Sequence, residues 1–131
     1  AIADALEHIP YAAGLGIRPV VMGDELTMML PFCEEIIGNP LLRALHGGAV
    51  GAFMETTAIV KLLSVTGGKI APKPIGINID YLRRGNPAHT YARAEITRQG
   101  SRVANIRVHA WQIGPDEPIA ILHGHFLNGK A

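Results

Sequence analysis

One long segment of this chain has the pattern of a buried helix, and it limits the possible folds more than any other feature. The segment runs from about Gly48 to Val65 and is apolar nearly all round until Lys61. A helix of this kind is buried on most of its sides. Gly67-Gly68 then gives the chain a signal to end the helix. Because no second helix of this length is predicted, other elements must cover this one.

The segments before this helix are shorter. Ile17 to Met22 and Glu25 to Pro31 predict two strands, which a hairpin turn at Gly23-Asp24 joins. Ile2 to Ile9 predicts a short helix, and residues 32–45 are expected to be irregular because they contain helix and strand breakers. The first third of the chain therefore offers one strand pair.

Four segments after the helix alternate between apolar and polar residues. They are residues 75–81, 92–97, 104–111 and 119–127, and turn-forming residues separate them. Clean alternation predicts that each strand buries one face only. An antiparallel sheet with one apolar face would curl around the single helix. We therefore predict an α+β fold with two strands, one long central helix and then four strands.

The composition narrows the possible function classes. A chain of 131 residues suits a single domain, residues 1–131, and 48% hydrophobic residues allow a proper core. A net charge of +1 gives no basic surface for nucleic acid. His46 and Glu55 interrupt the longest apolar run, so no membrane span is expected. Cys33 is the only cysteine and no secretory signal is visible, so we expect a cytoplasmic protein.

Glu55 is the one residue of the Asp, Glu, Lys and Arg types within residues 44–60. Burying an ionised carboxylate without a partner costs several kcal/mol, so such a group is kept when it is paired, neutral or catalytic. Two hypotheses follow: a general base or acid, or a structural carboxylate paired with a distant Arg. Its neighbours on helical spacing are small or apolar: Gly51, Ala52, Ala58 and Ile59.

The tripeptide His46-Gly47-Gly48 opens the helix. The first N–H groups of a helix have no internal partner, and two glycines let a ligand come close to them. These groups could polarise a carbonyl oxygen, as an oxyanion hole does. The alternative is an ordinary helix start in which His46 holds the loop.

Gly47 and Glu55 are too far apart to reach one carbonyl group easily within one chain. They are eight residues apart, which is about 12 Å along a helix axis. Two antiparallel helices of a dimer could bring Gly47 of one chain opposite Glu55 of the other. If both groups act together, the site lies at a two-fold interface and occurs twice.

The sequence resembles the hotdog-fold acyl-CoA thioesterases, in particular the phenylacetate-degradation and 4-hydroxybenzoyl-CoA thioesterase group. The similarity covers roughly residues 15–128, and it implies a curled antiparallel sheet wrapped around one long helix. It is carried by His46-Gly47-Gly48 with an acid, Glu55, nine residues after the His, by Ile77 to Leu82 with Gly85, by Thr97 to Arg102, and by Ile119 to Phe126.

This resemblance also implies roles for the site residues. The Gly47 N–H, followed by Gly48, would bind the thioester oxygen, and His46 would position the loop. Glu55 of the partner subunit would act as nucleophile or as general base on a water molecule. The family further implies homodimers, commonly paired into tetramers. The acyl-CoA thioester is the substrate, and no metal or redox cofactor is expected.

Two positions depart from the family pattern. Related enzymes often carry Asn or Gln six residues before the His, near the attacking water, where this chain has Pro40. Asn39, one residue earlier, could serve if the loop is shifted. Relatives also carry Thr or Ser one turn after the acid, where this chain has Ile59, while Thr56 and Thr57 directly follow the acid.

Basic residues are candidates for the phosphate groups of CoA. Arg83 and Arg84 come first because they end a strand just before Gly85, and Arg102 and Lys73 come next. For each of them the alternative is an ordinary solvated charge.

His109, His123 and His125 are candidates for a zinc site, because the last turn would bring His109 roughly opposite His123. We favour a polar outer face of the sheet instead, and no metal. Cys33 is not expected to be a nucleophile, since Glu34 and Glu35 beside it would raise the thiol pKa.

The sequence thus predicts hydrolysis of an acyl-CoA thioester to the free acid and CoA. Two alternatives stay open. One is a hydratase or dehydratase of enoyl-CoA on the same fold, although the Asp–His pair typical of such enzymes is absent from the helix and the strand after it. The other is a non-catalytic acyl-CoA-binding module, which would need the pocket but not Glu55.

Overall fold

The computed structural model describes residues 15–23, 25–39, 44–67 and 72–127. The predicted helix at Ile2 to Ile9 and Asp24 of the predicted hairpin turn lie outside these residues. The described elements are, in chain order, β1 (Arg18–Met22), β2 (Glu25–Leu30), a 3₁₀ turn (Glu34–Ile36), β3 (Ile37–Asn39), β4 (Ala44–Leu45), α1 (Gly47–Thr66), β5 (Lys73–Tyr81), β6 (Thr90–Gln99), β7 (Val103–Trp111) and β8 (Pro118–Leu127).

Six of these strands form one antiparallel sheet in the order β1-β2-β6-β7-β8-β5. The strand that follows the helix therefore does not pair with the next strand along the chain. It crosses to the far edge of the sheet, beside β8. The predicted α+β architecture, a curled antiparallel sheet around one long helix, is confirmed.

Both ends of helix α1 follow from local chemistry. His46 caps the start with an extended backbone, and its ring accepts a hydrogen bond from a backbone N–H of the first turn. Gly67 ends the helix in the left-handed conformation, with φ of 62°, and its N–H bonds to the carbonyl oxygen of Leu63. This left-handed end is easy for glycine and strained for other residues. The observed bounds agree with the predicted ones within one residue.

The core lies between α1 and the concave face of the sheet. Phe53, Met54 and Leu62 of the helix are fully buried, as are the inward residues of the central strands. Each such large side chain contributes roughly 1.5–3 kcal/mol by leaving water. The inward residues of β7 and β8 follow a period of two: Ala104, Ile106, Val108, Ala110, Ala120, Leu122 and Phe126.

The helix Gly47–Val65 is long and apolar enough to pass a test for a membrane span. In this fold it is the core helix, and the curled sheet covers much of its surface. Its apolar character is therefore explained by packing inside the domain.

Two expectations about the strands were wrong. Residues 32–45 are not simply irregular, because β3 and β4 form a small separate sheet in which Ile37 lies opposite Leu45. Strand β5 buries its apolar face only in part, since Ile75 and Tyr81 are each 54% exposed on the side that alternation assigned to the core, whereas Ile77 and Ile79 pack against the core. The reason is its place at the sheet edge, beside an open groove.

Candidate active site

Two hydrogen bonds fix the position of His46, one to a neighbour in sequence and one to a residue of the preceding 3₁₀ turn. Its ring Nδ1 accepts a hydrogen bond from the Gly48 N–H at 2.9 Å. Because a backbone N–H can only donate, Nδ1 is the acceptor in this arrangement. The His46 N–H donates to the carbonyl oxygen of Ile36 at 2.6 Å. The 3₁₀ turn before β3 thus holds the residue that starts the helix.

The two glycines after His46 have different environments. The Gly48 N–H is taken by the His46 ring, and a Cβ at Gly48 would lie 3.0 Å from that ring. Gly48 therefore leaves room for the His46 ring that caps the helix, and its own N–H is not available to a ligand. The Gly47 N–H has no hydrogen-bond acceptor among the residues that the structure describes. It is the N–H of the first turn that remains available to a ligand carbonyl oxygen.

Tyr81 was not singled out from the sequence, yet it contacts the helix start directly. Its hydroxyl donates a hydrogen bond to the carbonyl oxygen of Gly47 at 2.8 Å. The ring lies 3.7 Å from the position that a Cβ on Gly47 would occupy. Alternation along β5 had marked Tyr81 as a core residue, and its polar hydroxyl at a strand end was the signal for a second role.

Glu55 faces an open groove rather than the closed core. The cavity has a volume of 350 Å³, and its walls come from one side of α1 and from β5. Glu55 is half-buried, and no described residue forms a salt bridge or hydrogen bond with its carboxylate. Although its neighbours on helical spacing are small or apolar, Glu55 borders open space on this side of the helix. The groove is lined by Gly48, Gly51, Ala52, Glu55, Ile77, Ile79 and Tyr81.

Small residues keep this groove open. A Cβ on Gly51 would come within 3.2 Å of Ile79 Cδ1 and 3.3 Å of the Tyr81 hydroxyl oxygen. Helix and strand therefore approach each other closely at Gly51, and a larger side chain would fill the space beside Glu55. Apart from the Glu55 carboxylate and the Tyr81 hydroxyl, the groove lining is apolar, which suits an apolar part of a ligand.

The threonines beside Glu55 do not contribute to the groove. Thr56 donates a hydrogen bond from its hydroxyl to the carbonyl oxygen of Ala52, and Thr57 does the same to Phe53. Both threonine side chains are buried. Ile59 stands one turn after the acid, so that position offers no hydroxyl group.

Asn39 lies at the end of β3, where its backbone is paired opposite Ala44. This places its main chain in the same small sheet that leads into His46. Pro40, which occupies the position where relatives carry an amide residue, lies outside the described residues.

The four basic candidates do not lie together. Arg83 and Arg84 follow Tyr81 at the helix-start end of the sheet, and Arg83 lies 4.0 Å from Glu117 in an exposed ion pair. Lys73 begins β5 at the other end of the strand, about 26 Å from Tyr81 by strand length. Lys73 and Val103 are both paired with Leu127, so Arg102 is near this second end.

Arg102 lines a second cavity, with a volume of 340 Å³. Arg98 shares this cavity, and Asn105 supplies a polar wall. Two guanidinium groups beside one opening make a basic pocket at the β6–β7 turn. The sequence had singled out one of these two arginines.

The histidines are not arranged as the zinc hypothesis required. Strand β7 places Arg107, not His109, opposite His123, while His109 lies opposite Ile121. The predicted pairing was wrong by two residues because the β7–β8 pairing is centred on residue 115, whereas the prediction centred it on residue 116. His125 instead contacts Asn105, at 2.6 Å. Within the described ranges, no group of three or more potential ligands could hold a metal ion.

The predicted rise in the pKa of the Cys33 thiol is confirmed. A hydrogen bond with the Glu35 side chain raises the pKa of the Cys33 thiol, and burial and the negative charge of Glu35 act in the same direction. A thiol with a raised pKa is mostly protonated and is a poor nucleophile at neutral pH.

Comparison with known proteins agrees with this geometry. Residues 43–119 match the family model of the thioesterase superfamily, which is more than half of the chain. A protein from Chromobacterium violaceum is 35% identical, with 96% of this chain and 88% of that chain covered and a TM-score of 0.77. No curated protein matches the sequence significantly.

Two further structures share the fold at lower identity. The E. coli PaaI protein from the phenylacetic acid degradation operon is 20% identical, with 96% and 94% coverage and a TM-score of 0.77. The BH2602 protein from Bacillus halodurans, whose crystal structure contains CoA, is 18% identical, with 99% and 92% coverage and a TM-score of 0.80.

Proposed function

The chain belongs to the thioesterase superfamily, and from this premise we propose that it hydrolyses acyl-CoA thioesters. One observation carries the proposal. The carboxylate of Glu55 lies half-buried in an apolar groove without a protein partner, and the same groove reaches the helix start where the Gly47 N–H is available. A lone carboxylate and a lone donor are the two groups that attack on a thioester needs.

The proposed reaction begins with the thioester carbonyl oxygen at the Gly47 N–H. As attack proceeds, negative charge grows on this oxygen. The N–H and the positive end of the α1 dipole stabilise that charge. Collapse of the tetrahedral intermediate breaks the carbon–sulfur bond, and the CoA thiolate takes up a proton. The products are the free acid and CoA.

Glu55 drives the attack in this proposal. As a general base, it takes a proton from the water molecule that forms the new carbon–oxygen bond. As a nucleophile, it forms an anhydride with the acyl group, which water then hydrolyses. A single turnover in water enriched in ¹⁸O detects an anhydride that water opens at the Glu55 carbonyl carbon, because this route leaves ¹⁸O on Glu55 and transfers a Glu55 oxygen to the acid. General-base attack places ¹⁸O in the acid alone.

We further propose that Glu55 of the partner subunit works with the Gly47 N–H of its neighbour. Within one helix the two groups are about 12 Å apart along the axis. A second chain is also suggested by β5, an edge strand with exposed Ile75 and Tyr81, because an open apolar edge invites pairing with another chain. A homodimer with two sites follows, and pairing of such dimers into tetramers remains a prediction.

The CoA phosphates have two candidate sites. Arg102 and Arg98 flank the basic cavity at the β6–β7 turn, and Arg83 and Arg84 lie near the helix start. We propose that the Arg102 cavity holds phosphate groups, because guanidinium groups bind phosphate through paired hydrogen bonds.

The remaining residues at the helix start have supporting roles in this proposal. His46 holds the loop, Gly48 leaves room for the His46 ring, and Asn39 is the candidate for orienting water. No metal or redox cofactor enters any of these steps.

The test is release of free CoA thiol from a panel of acyl-CoAs by the wild type and Glu55→Gln. We expect one acyl class to be hydrolysed and the variant to lose on the order of 10²-fold or more of the rate. Glu95→Gln, which neutralises an exposed carboxylate on β6, is the matched control. Full activity in Glu55→Gln would refute the assignment. Hydration of an enoyl-CoA, or tight binding without turnover, would instead support one of the two alternatives.

A further inference from the structure

Gln112, in the turn after β7, is hydrogen-bonded to the loop between β5 and β6. Its Nε2 donates to the carbonyl oxygen of Asn86 at 2.9 Å, and its Oε1 accepts from the Asn86 N–H at 3.0 Å. Nε2 also lies 3.2 Å from the Thr90 hydroxyl oxygen and 3.5 Å from the Ala88 carbonyl oxygen. A side-chain amide presents a donor and an acceptor together, so it pairs with the N–H and the C=O of one residue as a neighbouring strand would.

The residue before Asn86 continues this path toward the helix. The carbonyl oxygen of Gly85 accepts a hydrogen bond from the Leu45 N–H at 2.9 Å. A Cβ on Gly85 would lie 3.2 Å from the Leu45 side chain, so the two segments are in close contact. Leu45 is buried and directly precedes His46. The loop that Gln112 holds is therefore the support for the residue that leads into the helix cap.

We propose that Gln112 is a positioning residue for thioester hydrolysis. It fixes the Gly85–Asn86 backbone, which through Leu45 sets where the Gly47 N–H points. Gln112 does not line the groove, so its effect is transmitted through the backbone. This inference rests on the proposed function, in which the Gly47 N–H donates a hydrogen bond to the thioester oxygen. An oxyanion donor must be held to within a fraction of an ångström, which makes such support matter for rate.

The first test compares Gln112→Ala with the wild type in steady-state kinetics. We expect kcat to fall on the order of 10-fold with KM little changed, because the donor is misplaced in the transition state while the groove is intact. Ile113→Ala is the control, since this neighbouring side chain is 86% exposed. A melting curve of each variant sets an assay temperature at which all are folded.

The second test uses Gln112→Glu. An ionised carboxylate only accepts hydrogen bonds, so it repels the Asn86 carbonyl oxygen. The protonated acid has a donor and an acceptor side by side, as the amide does. The ratio of kcat between Gln112→Glu and the wild type should therefore rise as the pH falls. A merely structural role would lower the melting temperature and leave this ratio flat.

Hydrogen exchange separates failure of this inference from failure of the proposed function. In Gln112→Ala, the amides of residues 45–48 should exchange faster than in the wild type, whether or not a substrate is known. A wild type that hydrolyses no acyl-CoA would refute the proposed function. Hydrogen exchange would still test whether Gln112 holds the backbone of residues 45–48. If Gln112→Ala does not fold, Gln112→Glu decides. Folded variants with wild-type kcat and wild-type exchange at residues 45–48 would overturn the inference.

Discussion

The hydroxyl of Tyr81 donates a hydrogen bond to the carbonyl oxygen of Gly47, so the last residue of an edge strand is tied to the first residue of the central helix. The strand end and the helix start are 34 residues apart in sequence. This contact fixes one wall of the groove relative to the N–H group that we assign to the thioester oxygen. The two halves of the candidate site are therefore mechanically connected.

Tyr81→Phe should weaken this connection without changing the shape of the ring. The free energy of unfolding is expected to fall by about 1 kcal/mol, the usual net value of one hydrogen bond. The rate of thioester hydrolysis should fall with it, because the helix start is less firmly held. Urea unfolding and CoA release measure the two effects. Tyr91→Phe is the control, since its hydroxyl bonds to no described residue, and equal losses in both variants would contradict the prediction.

Gly48→Ala should have opposite effects in two backgrounds. In the wild type, the new Cβ lies 3.0 Å from the His46 ring and displaces the cap, which costs about 1 kcal/mol of folding free energy. In His46→Ala the ring is gone, and alanine should stabilise the helix by ~0.5–1 kcal/mol relative to glycine. A double-mutant cycle of unfolding free energies detects this coupling. Additive effects in the cycle would mean that the ring and Gly48 do not interact.

His109 should make stability depend on pH. Burial lowers the pKa of His109 below its ordinary value of 6.5, and the positive charges of Arg107 and Arg93 act in the same direction. The unfolded chain then binds more protons than the folded one between the two pKa values. The contribution of His109 to the free energy of unfolding is therefore fully present above the unfolded-state pKa. This contribution is lost as the pH drops below the unfolded-state pKa.

His109→Phe keeps a ring stacked on Trp111, where the centroids are 5.3 Å apart, and removes the titrating group. Urea unfolding between about pH 7 and about pH 5 should therefore show a flatter pH dependence in the variant than in the wild type. The same slope in both proteins would assign the pH dependence to other groups.

Local patterns in the sequence were enough for most of the fold. Helix α1 was predicted within one residue at each end because its apolar run and its glycine stop signal are local features. Strands β6 to β8 followed from a period of two. The pair β3 and β4 was missed because three-residue and two-residue strands are too short to show any period.

The shape of the site depends on sheet order, which no local pattern contains. Alternation assigned Tyr81 to a side of β5 but could not show that β5 lies at the edge. The same non-local fact leaves Glu55 facing an open groove instead of the core. The bond from His46 to Gly48 was also invisible, since the cap could equally have left both glycine N–H groups available. Glu55 and His46-Gly47-Gly48 were nevertheless found, because a lone acid in an apolar helix and a glycine pair at its start are unusual.

The central claim is that Glu55 acts across the dimer interface, and a complementation experiment tests it directly. Glu55→Gln removes the acid, and Gly47→Pro removes the N–H donor. Proline suits this position because the first helical residue needs no N–H, and His46 already has the extended backbone that proline requires before it. Each variant alone is expected to be nearly inactive.

The two variants are unfolded together, refolded as a mixture and assayed for CoA release. If the acid and the donor come from different subunits, half of the dimers are mixed and each has one intact site of two, which restores about 25% of wild-type activity. No gain over the separate variants, although mass spectrometry shows that mixed dimers have formed, would contradict a site shared between subunits.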